Sequence, residues 1–284
     1  MSFDDLPALP RLIHPEGNRY VERIMRLGRL AQQQTRCVLD QSYGSDYWQR
    51  LDIYLPTTTS QSSLPIFCFL PGGAWINGCK EWLAFMAPAL TSVPAVLVAL
   101  SYRHAPAAKF PAQLDDTLEG LAWVHRNIVR WGGDIQRVYL GGHSAGGHLA
   151  ALATLRRDAL AARELPSGFI RACLPISAPF NLMSDDPVRR QKISAFLERP
   201  EDVTAASPIA HVKGNRTPFA ITYGTEDLPE LVPQARQMAA ALKVAGSSVE
   251  LLELDGRNHF NTHEDCAMAD SPWVRRVTTL LRED

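Results

Sequence analysis

The chain has no long run of lysine or arginine, and 29 basic against 30 acidic side chains leave a formal charge of −1. Nucleic acid and anionic membrane are captured by concentrated positive charge, so neither is expected as a partner. No apolar stretch approaches the length that spans a bilayer. The five cysteines, Cys37, Cys68, Cys79, Cys173 and Cys266, contain no C-x-x-C spacing. An odd cysteine count, with an acidic start (Met1 to Asp5) that lacks the apolar core of a secretory leader, fits a reducing compartment, so a cytoplasmic location is expected. Internal repeats, low-complexity tracts and interdomain linkers are all missing, and 57–63 reads as a polar loop.

What is present is ordinary in bulk: 284 residues, 46% hydrophobic and 21% charged, enough for one large α/β domain over 1–284. The segment 1–34 contains an amphipathic helical pattern, with Tyr20, Ile24, Leu27 and Leu30 on one face. Strand-like runs at 35–39 and 50–55 flank Gly44-Ser45-Asp46, a hairpin signal. From Ile66 onward, β-branched apolar runs (66–70, 95–100, 137–140, 170–176, 219–223, 249–254) alternate with helical patterns at 81–90, 114–131, 149–155, 232–245 and 273–281. That alternation predicts crossover units and a mostly parallel sheet with helices on both faces. Residues 180–208 break the rhythm; charges at Asp185, Asp186, Arg189, Arg190 and Lys192, followed by Phe196-Leu197, suit either a short cap or a surface loop.

One stretch carries chemistry. Val138 to Gly147 reads as a strand that stops, turns on small residues and restarts as a helix, and Gly142-His143-Ser144-Ala145-Gly146 matches G-x-S-x-G. A serine in so tight a turn projects its hydroxyl above the sheet edge, and the crowding on either side demands glycine. A hydroxyl needs a base, an acid to orient that base, and donors for the oxyanion. His259, in the loop after the last strand, is the expected base; His148, one turn past Ser144, suits packing, and His211 and His263 lack the placement. Asp227, at the end of the penultimate strand, is the expected acid, with Glu226 beside it and Asp255 as alternatives. Gly72, Gly73 and Ala74 after the first parallel strand, with Ala145 at the start of the elbow helix, are the expected oxyanion donors. The order Ser144, Asp227, His259 is that of α/β-hydrolases.

The chain resembles α/β-hydrolase esterases related to arylformamidases (kynurenine formamidases) and the wider hormone-sensitive-lipase-like carboxylesterases. The resemblance runs from about Tyr43 to the end. It rests on Leu51-Asp52-Ile53-Tyr54-Leu55-Pro56, Gly72-Gly73-Ala74-Trp75, Ser101-Tyr102-Arg103-His104-Ala105-Pro106, Gly132-Gly133-Asp134, the elbow, Gly224 to Leu231, and Asn258-His259-Phe260. It implies catalytic Ser144, Asp227 and His259, with Gly72, Gly73 and Ala145 around the oxyanion. Pro71 stands where that family usually has the histidine of H-G-G.

These observations lead to three functional readings. The first is hydrolysis of small carboxylic esters through an acyl-enzyme, the second hydrolysis of an N-formyl arylamine, and the third a non-catalytic ligand-binding homologue. The first two need a small-molecule ester or amide and no cofactor or metal; no H-E-x-x-H occurs, and His263, Asp265 and Cys266 read as a solvated loop. Trp75, Tyr102 and Phe180, with Trp82, Phe85 and Met86, are the candidate pocket walls.

Overall fold

The structure, a computed structural model, describes residues 3–12, 14–57 and 63–283; of the polar loop expected at 57–63, only the two ends fall among them. Eight strands form one sheet: β1 (Arg36–Ser42), β2 (Arg50–Leu55), β3 (Leu64–Leu70), β4 (Val96–Leu100), β5 (Gly133–His143), β6 (Ile170–Ile176), β7 (Phe219–Glu226) and β8 (Val249–Asn258). The helices are α1 (Pro15–Gln34), α2 (Ala87–Thr91), α3 (Ala112–Asn127), α4 (Ala145–Leu155), α5 (Arg157–Ala161), α6 (Pro187–Phe196), α7 (Leu231–Val244), α8 (Asn261–Glu264) and α9 (Pro272–Glu283).

The strand order is β1-β2-β4-β3-β5-β6-β7-β8. The β1–β2 and β2–β4 pairs are antiparallel and the other five are parallel. This matches the expected mostly parallel sheet, including the opening hairpin. Every residue of β3 and β4 is buried, as strands covered on both faces require. Successive side chains of β3 feed opposite cores. Ile66, Cys68 and Leu70 join Leu118 and Leu121 of α3, Leu149 of α4 and Met238 of α7. Phe67 and Phe69 join Tyr20 and Ile24 of α1, Leu90 of α2 and Trp273 and Val277 of α9.

Two helical expectations change. The pattern at 81–90 is a 3₁₀ segment, Lys80–Met86, followed by the short α2. Pro88 lacks an N–H and its ring would clash with the carbonyl of Ala84 inside a continuous α-helix. On α1 the buried stripe is Gly17, Tyr20, Ile24, Gly28 and Ala31, while Leu30 is 46% exposed. A β-carbon at Gly28 would sit 3.2 Å from the Ala84 β-carbon, so the helix approaches its neighbour most closely there, with Tyr20 and Ile24 buried on the same face.

The parallel strands place their carboxyl ends along one edge. The loops after β3, β5, β7 and β8 therefore meet there, where open α/β sheets bind ligands. Over 180–208, Asp186 caps α6 by accepting from Val188 and Arg189 amides, and Phe196 and Leu197 turn into the core. Phe196 stacks on Trp75 at 4.3 Å between ring centroids.

Candidate active site

Ser144 sits between β5 and α4 with φ +52° and ψ −119°, a conformation that costs a non-glycine residue about 1–3 kcal/mol. The turn leaves no room beside it. A β-carbon on Gly142 would lie 2.3 Å from the Gly146 carbonyl carbon, and one on Gly146 would lie 2.2 Å from the Leu70 oxygen. Both glycines of the G-x-S-x-G pattern are thus required by space.

The loop after β8 brings His259 Nε2 to 3.0 Å from Ser144 Oγ, and its Nδ1 lies 2.8 Å from Asp227 Oδ1. Asp227 Oδ1 also accepts the Leu228 amide at 2.7 Å. Burial alone would raise the Asp227 pKa, yet the hydrogen bond and charge interaction with His259 outweigh it and hold the carboxyl below its ordinary range. An ionised Asp227 accepts from His259 Nδ1–H, which leaves Nε2 free to accept the Ser144 hydroxyl proton. Glu226 and Asp255 both point to solvent, so only Asp227 of the three acids faces the histidine.

Gly72, Gly73 and Ala74 line a cavity of about 370 Å³ together with Ser144 and His259. Gly72 abuts the elbow: a β-carbon there would lie 3.2 Å from the Ser144 β-carbon. Gly73 has φ +128°, and Ala74 and Trp75 also have positive φ, so this loop is held in a contorted path. The Tyr102 hydroxyl donates to the Pro71 carbonyl at 2.9 Å, and His104 Nε2 bonds the Gly78 carbonyl at 2.7 Å. Tyr102 thus braces the loop from below at the position where H-G-G sequences carry histidine. Ala145 opens α4, where the first amides of a helix lack intrahelical partners.

The three pocket residues expected from the sequence do not line this cavity. Trp75 turns inward; its indole N–H donates to His148 Nδ1 at 3.1 Å, and His148 Nε2 in turn bonds the Ala206 carbonyl at 2.7 Å. Burial lowers the His148 pKa to about 4, so this packing histidine is neutral. Tyr102 is fully buried under the loop, and Phe180 is fully buried in the core. Phe85 and Met86 are likewise core residues, and of the wider aromatic set only Trp82 reaches the cavity. The other walls include Leu12, Pro15, Tyr20, Ile76, Leu228 and Phe260, with Arg11, His14, His143, Lys192 and Glu230 among the polar lining. Tyr20 shows in the sequence only as part of the α1 packing face, whose pattern does not say against what it packs, and Leu12 and His14 precede that helix in a stretch with no pattern of its own.

The expected solvated loop at 263–266 is also corrected. His263 and Cys266 are fully buried and Asp265 is 5% exposed. The short α8 folds this segment beside the His259 loop, where the Tyr20 hydroxyl meets His263 Nδ1 at 2.6 Å and Arg257 Nε meets Asp265 at 2.7 Å. His211 bonds the Ala205 carbonyl at 2.9 Å, apart from the cavity. Among the described residues no cluster of three or more His, Cys, Asp or Glu is arranged to hold a metal ion, and no helix is long and apolar enough to cross a membrane.

The fold is that of the α/β-hydrolases. The hyperthermophilic esterase of the archaeon Pyrobaculum calidifontis matches with a TM-score of 0.76 and 22% identity, over 94% of this chain and 89% of that one. The carboxylesterase EstE1, cloned from a metagenomic library, matches with a TM-score of 0.74 and 22% identity, over 93% and 96%. The BD-FAE family model matches residues 51–242, and the chain belongs to that family. Esterase LipC of Mycobacterium tuberculosis is 33% identical over 233 residues, covering 76% of this chain and 58% of LipC. Isoprenylcysteine alpha-carbonyl methylesterase ICME of Arabidopsis thaliana is 29% identical over 238 residues, covering 76% and 55%. The chain thus spans little more than half the length of the curated relatives it matches.

Proposed function

We propose that the protein is a serine carboxylesterase that cleaves small carboxylic esters through an acyl-enzyme. The observation that carries this reading is the hydrogen-bonded row Ser144, His259, Asp227, with distances of 3.0 and 2.8 Å, opening on a cavity bordered by Gly72 and Gly73. The esterase names of its relatives support the same chemistry.

In the proposed first step His259 Nε2 removes the Ser144 hydroxyl proton as Oγ attacks the ester carbonyl. The carbonyl oxygen becomes an oxyanion, stabilised by the amides of Gly72, Gly73 and Ala145. Imidazolium, held by the Asp227 carboxylate, then gives the proton to the departing alkoxide, and the alcohol leaves. Water, deprotonated by His259, attacks the acyl-serine, and the proton returns to Ser144 Oγ as the carboxylic acid departs. A cavity of about 370 Å³ lies near the small end of ligand sites, which favours short or single-ring substrates. In this reading 1–284 forms one catalytic domain, 180–208 serves as a short cap through Lys192 at the cavity wall, and five free cysteines suit the cytoplasm.

The test is turnover of p-nitrophenyl acetate, p-nitrophenyl butyrate and N-formylkynurenine by purified protein. Ester hydrolysis that falls by more than about 10⁴-fold in Ser144→Ala is the expected result. N-formylkynurenine as the much better substrate would reassign the protein to formamide hydrolysis, and inertness toward all three would count against both.

A further inference from the structure

His143, the residue before the nucleophile, is 2% exposed. Its Nε2 lies 2.8 Å from the backbone carbonyl of His259. A carbonyl only accepts, so Nε2 carries the proton. Burial, aided by repulsion from His259, lowers the His143 pKa to about 3, so the ring is the neutral Nε2–H tautomer. Its Nδ1 is then a bare lone pair, buried against Gly72 without a hydrogen-bond partner among the described residues. A phenyl ring would fill this space without stranding a polar atom, so packing alone does not account for histidine here.

The ring plane is held on its far side. His143 stacks on His263 with centroids 4.7 Å apart and planes 4° from parallel, and His263 stacks on Phe69 at 5.5 Å and 5°. The Tyr20 hydroxyl on α1 fixes the His263 ring at 2.6 Å. The Thr262 hydroxyl donates to the same His259 carbonyl at 3.0 Å. Strands β5 and β8, which carry the serine and histidine loops, are separated by β6 and β7. The His143 bond is thus a direct tie between the nucleophile's turn and the base's backbone.

We propose that His143 is a positioning residue: its Nε2–H holds the His259 peptide so that the imidazole reaches Ser144, and the Phe69–His263–Tyr20 stack aims it. The proposal rests on the serine-hydrolase reading above. Glutamine carries its amide nitrogen as many bonds from Cβ as histidine carries Nε2, so His143→Gln keeps the donor. His143→Phe keeps the ring and the stack but has no donor, and His143→Asn is polar but too short to reach.

Steady-state kinetics on p-nitrophenyl acetate separate the roles. The expected result is kcat at least about tenfold lower in His143→Phe and His143→Asn, KM within about twofold, and His143→Gln within about threefold of wild type. Thermal melts check folding; should His143→Phe fail to fold, the Asn-against-Gln contrast decides alone. Phe as active as wild type, or Gln no better than Asn, would overturn the proposal while leaving the serine-hydrolase reading intact. A wild type that neither turns over esters nor reacts with a fluorophosphonate would remove both.

Discussion

At the scale of single residues, hydrogen-bond geometry rather than charge alone singles out Asp227 as the candidate acid. Asp227 holds the proton of His259 on Nδ1, so Asp227→Asn should strand the imidazole in the wrong tautomer. We expect kcat for ester hydrolysis to fall by about 10⁴-fold with little change in folding, read by parallel kinetics and thermal melts. Because His259 keeps the Asp227 pKa below its ordinary value, the carboxylate stays ionised through mild acid. The kcat/KM profile should then show no inflexion from Asp227 within the ordinary carboxylate range or above it; two inflexions on the acid limb would contradict this. Tyr102→Phe removes the donor on the Pro71 carbonyl and should cost about 1–2 kcal/mol of stability, with kcat reduced because Gly72 and Gly73 follow that carbonyl. That Ser144, Asp227 and His259 meet at one sheet edge was legible because activation of a hydroxyl dictates residue type and order along the strands. Trp75, Tyr102 and Phe180 were not, because where a side chain points in a loop depends on backbone torsions such as the positive φ of Ala74 and Trp75.

At the scale of elements, strands β2, β3, β4, β6 and β7 begin where the apolar runs begin or within two residues of it, since burial selects apolar composition directly. Turns governed by tertiary contact were hidden. The Lys80–Met86 segment read as a helix, yet it is anchored by a buried ion cluster in which Lys80 Nζ meets Asp40 at 3.0 Å, Asp52 at 3.0 Å and Glu81 at 2.6 Å. Burial, against the pull of Lys80, pushes the Asp52 pKa up to about 6. A folded pKa above the unfolded one means the folded state binds this proton more tightly. Its contribution to stability is full below about pH 4 and is lost as pH rises through about 6. Lys80→Met removes the cation that Asp40, Asp52 and Glu81 share and should destabilise by about 3–5 kcal/mol at about pH 8. The loss should be smaller at about pH 5, where Asp52 can take up a proton; denaturant melts at the two values decide, and an equal loss would refute the assignment.

At the scale of the whole molecule, two cores flank the sheet, and the one that contains α1 also supports the catalytic loop through Tyr20, His263 and Phe69. The family match begins at residue 51, yet Leu12, His14 and Tyr20 help wall the cavity. Ile24→Ala, on the fully buried face of α1, should cost about 2–5 kcal/mol. It should also weaken ester turnover more than a surface change such as Leu30→Ala; equal activity in the two would argue that α1 is uncoupled from the site. Under the proposed function two distant side chains, His259 and Asp227, make Ser144 a nucleophile. Peptide mass spectrometry after fluorophosphonate treatment should find one adduct, on Ser144, absent in His259→Ala. No adduct on the folded wild type, or an adduct on another residue, would contradict it.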